Sequence, residues 1–133
     1  LGIGGVKLLK ALNIVPNLYH MNEGHSAFLI IELIEQIMRE KQVSFEVAKE
    51  LVKTMTAVTV HTPVPAGNEI FDIDLIEKMF DGKWDDLGIS KDTFLGLGMT
   101  PNDNYKKAFN MGVFALKIAG KKNGVSKLHR RCF

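Results

Sequence analysis

The sequence predicts an α/β protein in which helices flank a parallel β-sheet. Residues 56–61 are rich in β-branched side chains and are typical of a buried strand, and weaker strand patterns occur at residues 18–21 and 121–125. Stretches with helical spacing of apolar residues separate these strands. Because a helix between two strands returns the chain to the same end of the sheet, alternating strands and helices favour parallel pairing.

Residues 26–40 give the clearest helical pattern. Their polar side chains recur at intervals of three and four residues, and nearly everything else in the segment is apolar. We expect a helix that is buried on most sides and exposes one narrow polar stripe to water. The stripe consists of Glu32, Glu35, Gln36, Arg39 and Glu40.

Further helices are predicted around this one. The segments concerned are residues 5–12, 44–55, 74–80, 90–97 and 109–119. Ser44 is a suitable N-cap for the second of them. Three candidate strands make a small parallel sheet with unpaired edges, so the pattern predicts a partial Rossmann-like sheet that belongs to a larger assembly.

Composition excludes several functional classes. An apolar content of 46% and a charged content of 24% argue against disorder, and a net charge of +2 without a basic helix face argues against a nucleic-acid partner. No apolar run reaches the ~18 residues of a membrane span.

Cys132 is the single cysteine, which favours a reducing, cytoplasmic setting. The first residue, Leu1, suggests a piece of a longer protein.

Polar side chains follow each predicted strand. In open parallel sheets ligands bind beyond the carboxyl ends of the strands, so these side chains are candidates for a common site. They combine hydrogen-bond donors with acceptors, which suits a neutral ligand rich in hydroxyl groups. The candidates are Asn22, Glu23, His25, His61, Thr62 and Asn123.

Structural roles compete with this hypothesis. Asn22 or Ser26 could cap the buried helix, His61 could be an ordinary turn histidine, and Asn123 with the following glycine is a common turn signal.

A metal site is not predicted. The spacing of His20, Glu23 and His25 differs from the His-Glu-x-x-His pattern that places two histidines on one helix face. No glycine-rich dinucleotide fingerprint and no Gly-x-Ser-x-Gly elbow is present either.

Several blocks together resemble the bacterial and archaeal α-glucan phosphorylases. Residues 19–28 read YHMNEGHSAF, residues 61–67 read HTPVPAG, and residues 109–111 and 123–129 read FNM and NGVSKLH. An LGIGGV stretch at residues 1–6 precedes them, and all of the blocks occur in the order typical of that family.

The resemblance implies a two-domain, GT-B-like glycosyltransferase architecture in which residues 1–133 form one partial domain, the later portion of the N-terminal domain. The implied reaction transfers glucosyl units from an α-1,4-glucan or maltodextrin to inorganic phosphate, giving α-glucose 1-phosphate. It also implies that His61, the one catalytic candidate, and Asn123 bind the hydroxymethyl oxygen of the transferred glucosyl unit. Asn22, Glu23, His25 and Thr62 would line the same cleft.

The cofactor implied for the full-length parent is pyridoxal phosphate. Its Schiff-base lysine belongs to the C-terminal domain, and no lysine here matches that motif, so no cofactor-binding residue is assigned. Residues 130–133 depart from the family pattern. The resemblance further implies a homo-oligomeric, cytoplasmic parent without membrane or nucleic-acid partners. A nucleotide-sugar glycosyltransferase of similar architecture and a non-catalytic binding module remain the alternatives.

Overall fold

A computed structural model describes residues 1–61, 69–100 and 108–126 of the chain. Within these residues a three-stranded parallel sheet is flanked by helices, as the sequence predicts. The helices are α1 (Gly2–Ala11), α2 (Leu29–Lys41), α3 (Phe45–Thr54), α4 (Ile73–Met79), α5 (Lys83–Asp86), α6 (Lys91–Gly96) and α7 (Met111–Ile118). The strands are β1 (Tyr19–Asn22), β2 (Thr56–Val60), β3 (Ile70–Asp72), β4 (Ala108–Asn110) and β5 (Lys121–Gly124).

The parallel sheet has the strand order β1-β2-β5. Its central strand contains the β-branched run seen in the sequence, and its side chains Val58 and Val60 face the core together with Met21 of β1. The opposite face carries His20, whose ring Nε2 lies 2.6 Å from the hydroxyl of Thr59. One face of the sheet therefore packs against helices, and the other carries polar side chains.

The described residues contain a second, smaller sheet that the sequence pattern does not predict. Strands β3 and β4 pair antiparallel, with Phe71 opposite Phe109. The segment predicted as helix from residue 109 therefore begins as a strand, and α7 starts at Met111, where the side chain of Asn110 accepts a hydrogen bond from the backbone N–H of Val113 at 3.1 Å.

Helix α2 is more deeply buried than the sequence predicts. Glu32 belongs to the stripe expected to face water, yet only 4% of this residue is exposed, because α1 packs across it. Its carboxylate accepts a hydrogen bond from Gln36 at 2.9 Å and lies 3.8 Å from the ammonium of Lys7 on α1. The stripe thus joins α2 to its neighbours through ion pairs, including Glu35 with Lys83 at 2.9 Å.

An aromatic cluster fills the core beneath the smaller sheet. The ring of Phe114 on α7 lies 5.7 Å from that of Phe28 and 5.6 Å from that of Phe109, measured between centroids. Phe28 also contacts Phe80 at 4.7 Å. The cluster connects the start of α2 with α4, β4 and α7.

No helix within the described part of the chain is both long enough and apolar enough to cross a bilayer.

Candidate functional site

The carboxyl ends of β1, β2 and β5 lie side by side at one end of the parallel sheet, which we call the site edge. Asn22 pairs with Thr59 of the central strand, and Thr59 pairs in turn with Asn123. Because paired residues of parallel strands project from the same face, these three side chains form a row. His61 directly follows the last residue of β2, so it lies two residues beyond Thr59 of the row.

Three of the predicted site residues are open to solvent at this edge. Asn22, His61 and Asn123 are all exposed. The interpretation of Asn123 as part of a turn is wrong, because it belongs to strand β5. The amide and imidazole groups at this edge can both donate and accept hydrogen bonds, as a ligand rich in hydroxyl groups requires.

The loop after β1 is attached to the end of β2 through Glu23. This residue has a left-handed backbone (φ 61°) and is 8% exposed. Its backbone N–H donates to the carbonyl oxygen of Thr59 at 2.9 Å, and its side-chain Oε1 accepts from the backbone N–H of His61 at 2.5 Å. The two loops that carry predicted site residues are therefore fixed to one another.

The same loop also packs against the start of α7. A Cβ atom on Gly24 would lie 3.0 Å from backbone atoms of Met111 and Gly112, so the absence of a side chain permits this close approach. His25 Nδ1 lies 2.9 Å from Oε1 of Glu69, whose carbonyl oxygen accepts a hydrogen bond from the backbone N–H of Met111. These contacts set the position of His25.

The capping role considered for Asn22 or Ser26 is wrong. Helix α2 begins at Leu29, and its N-cap residue Phe28 makes no side-chain capping bond. The residues between β1 and α2 form bends and turns instead. Asn22 is thus free of a capping role and ends β1 at the site edge.

The sequence pattern does not predict two further residues near this edge. Thr59 lies in the middle of the row, and Glu69 is the partner of His25. Neither residue belongs to a recognisable motif, because their contacts join residues far apart in the chain. Thr62 lies outside the described residues. Among the described residues, no three His, Cys, Asp or Glu side chains are grouped as a metal site would require.

The described residues form an α/β fold with a three-stranded parallel sheet, and in open sheets of this kind ligands bind beyond the carboxyl ends of the strands. The chain belongs to the carbohydrate phosphorylase family, because the model of that family matches residues 10–85, which is more than half of the chain.

Curated relatives agree with this assignment. The chain is 36% identical over 141 residues to a glycogen phosphorylase of Mycobacterium tuberculosis, with 98% of this chain and 16% of the relative covered. It is 40% identical over 131 residues to a maltodextrin phosphorylase of Thermococcus litoralis, with 98% of this chain and 15% of the relative covered. A glycogen phosphorylase of Aquifex aeolicus is 32% identical over 130 residues, with 98% of this chain and 18% of that relative covered. The chain thus spans less than a fifth of the length of these relatives.

Proposed function

We propose that this chain supplies part of the glucosyl-binding site of an α-1,4-glucan phosphorylase, as the later portion of the N-terminal domain of a longer, two-domain polypeptide. The full enzyme transfers a glucosyl unit from the end of a glucan or maltodextrin to inorganic phosphate. Two findings support the proposal: membership of the phosphorylase family, and the position of His61 and Asn123 at one edge of the parallel sheet.

In this proposal, His61 and Asn123 bind the hydroxymethyl oxygen of the glucosyl unit. Thr59 pairs with Asn123, and His61 follows Thr59 by two residues, so the two side chains leave neighbouring strands at the same end. A hydroxyl group can donate to one of them and accept from the other. In the same proposal, Asn22 and His25 offer further hydrogen-bonding groups to the sugar, and both are exposed.

The six site residues do not fit pyridoxal phosphate. They offer imidazole, amide, carboxylate and hydroxyl groups, and no amine that could form a Schiff base. Apart from Glu23, whose carboxylate accepts from the backbone N–H of His61, this set suits sugar hydroxyls. The cofactor would be held by other parts of the polypeptide, so no step of the reaction through it is derived from this chain.

The test uses a chimera in which residues 1–133 replace the corresponding segment of the Thermococcus litoralis maltodextrin phosphorylase. We expect the chimera to release α-glucose 1-phosphate from maltodextrin with inorganic phosphate as co-substrate. A correctly folded chimera without this activity would count against the proposal. Transfer that required a nucleotide sugar instead of phosphate would favour the related glycosyltransferases.

The residue assignment is tested by substrate discrimination in the same chimera. Xylosyl 1-phosphate lacks the hydroxymethyl group, so His61→Ala should lower the ratio of kcat/KM for glucosyl over xylosyl 1-phosphate. Leaving one hydrogen-bonding partner unpaired costs about 1–3 kcal/mol, which corresponds to a loss of about 5- to 150-fold in this ratio.

Asn17→Ala serves as the control, because Asn17 is exposed and precedes β1 at the opposite edge of the sheet. An unchanged ratio in His61→Ala would show that the role given to His61 is incorrect.

A further inference from the structure

Glu23 interrupts the pairing of β1 with β2 in an unusual way. In a continuous parallel ladder, a residue donates its backbone N–H to the carbonyl of one residue on the neighbouring strand. Its own carbonyl accepts from the backbone N–H of the residue two positions further along that neighbouring strand. Glu23 makes the first of these bonds, to the carbonyl of Thr59. The second bond, from the N–H of His61, goes to the carboxylate of Glu23, so the side chain occupies the place of the backbone acceptor.

The left-handed backbone of Glu23 accompanies this exchange. A φ of 61° is uncommon for a residue with a side chain, and it ends the extended course of β1 at this point. The side chain is nevertheless long enough to reach back to the N–H of His61. Only 8% of Glu23 is exposed, which favours a contact of its side chain within the protein over a contact with a ligand.

We propose that Glu23 is a positioning residue that acts through His61 and does not itself bind the sugar. Holding the N–H of His61 restricts the direction in which the chain leaves β2, and therefore the direction of the His61 side chain. This inference rests on the proposed function, because it assumes that His61 contacts the glucosyl unit. It assigns to Glu23 a different role from the substrate contact that the sequence resemblance implies.

A double-mutant cycle in the chimera separates the two roles. Glu23→Ala removes the acceptor, and we expect it to lower the glucosyl-over-xylosyl ratio of kcat/KM by about tenfold. Glu23→Gln is the matched control, because its amide oxygen can accept the same N–H, and we expect the ratio to stay within about threefold of the parent value. In the His61→Ala background the side chain that Glu23 positions is absent, so Glu23→Ala should have no further effect on the ratio.

Each outcome points to one conclusion. Equal losses in Glu23→Gln and Glu23→Ala would show that the charge of Glu23 matters and would overturn the positioning role. Additive losses in the double mutant would also overturn it, while the proposed function stands if His61→Ala alone lowers the ratio. An unchanged ratio in His61→Ala would refute the proposed function instead.

The contact itself is tested in the chimera by hydrogen exchange. We expect the backbone amide of His61 to be protected in the parent chimera and in Glu23→Gln, and to exchange faster in Glu23→Ala. Rapid exchange of this amide in the parent chimera would overturn the inference whatever the kinetics show.

Discussion

Replacing Gly120 by alanine should strongly destabilise the fold. A Cβ atom on Gly120 would lie 1.7 Å from the carbonyl oxygen of Lys53 and 2.6 Å from its carbonyl carbon. The two backbones would have to separate by roughly 2 Å to reach an ordinary contact distance. Gly120 does not have a positive φ, so the cost comes from the steric conflict and not from the backbone conformation.

The surrounding contacts oppose such a separation. The N–H of Gly120 donates to the hydroxyl of Thr56 at 3.3 Å, and that hydroxyl donates to the carbonyl of Val52 at 2.8 Å. Strand β5 is also held by its pairing with β2. Since overpacking a rigid site typically costs 1–3 kcal/mol and here the conflict is with backbone atoms, we expect Gly120→Ala to lower the free energy of unfolding by about 3 kcal/mol or more.

The matched control is Gly4→Ala on α1, where an added Cβ would meet nothing within 4 Å. This exposed helical position should gain about 0.5–1 kcal/mol from the substitution, because alanine loses less conformational entropy than glycine in a helix. Urea unfolding of the 133-residue chain, followed by far-UV circular dichroism, measures both variants. If Gly120→Ala were as stable as the parent, α3 and β5 could not approach as closely as the structure requires.

Two further predictions concern the core and the surface. Phe114→Ala removes a fully buried ring from the aromatic cluster and should cost about 3–5 kcal/mol in the same urea assay; a cost below about 1 kcal/mol would contradict the packing. On the surface, the hydrogen bond from Lys10 lowers the pKa of Glu40. The stability from this pair is complete above the unfolded-state pKa of Glu40 and is lost as the pH falls through its folded-state pKa. Glu40→Gln should cost no more than about 1 kcal/mol at neutral pH, and the difference from the parent should vanish in acid; a constant difference would refute the pairing.

The sequence alone was sufficient for the features that depend on neighbouring residues. The β-branched run predicted β2 to within one residue, and Ser44 was correctly identified as the N-cap of α3, where its hydroxyl accepts from the N–H of Val47. The family blocks likewise depend only on local order, and the match to the phosphorylase family confirms the assignment made from them.

The contacts that organise the candidate site could not be predicted in this way. The side chain of Glu23 bonds to His61, 38 positions later, and His25 pairs with Glu69 across a similar separation. The antiparallel pairing of β3 with β4 joins segments that are each only three residues long, which is too short for a periodic pattern.

The sequence by itself determined the α/β class, the main strands and helices, and the family, because periodicity, capping and motif order are properties of adjacent residues. The tertiary structure decided where α2 begins, why Glu32 is buried and how the loops after β1 and β2 are joined. Those outcomes depend on which segments pack together, and α1 covers Glu32 only once the chain has folded back on itself. A polar pattern along one helix cannot reveal that a second helix lies over it.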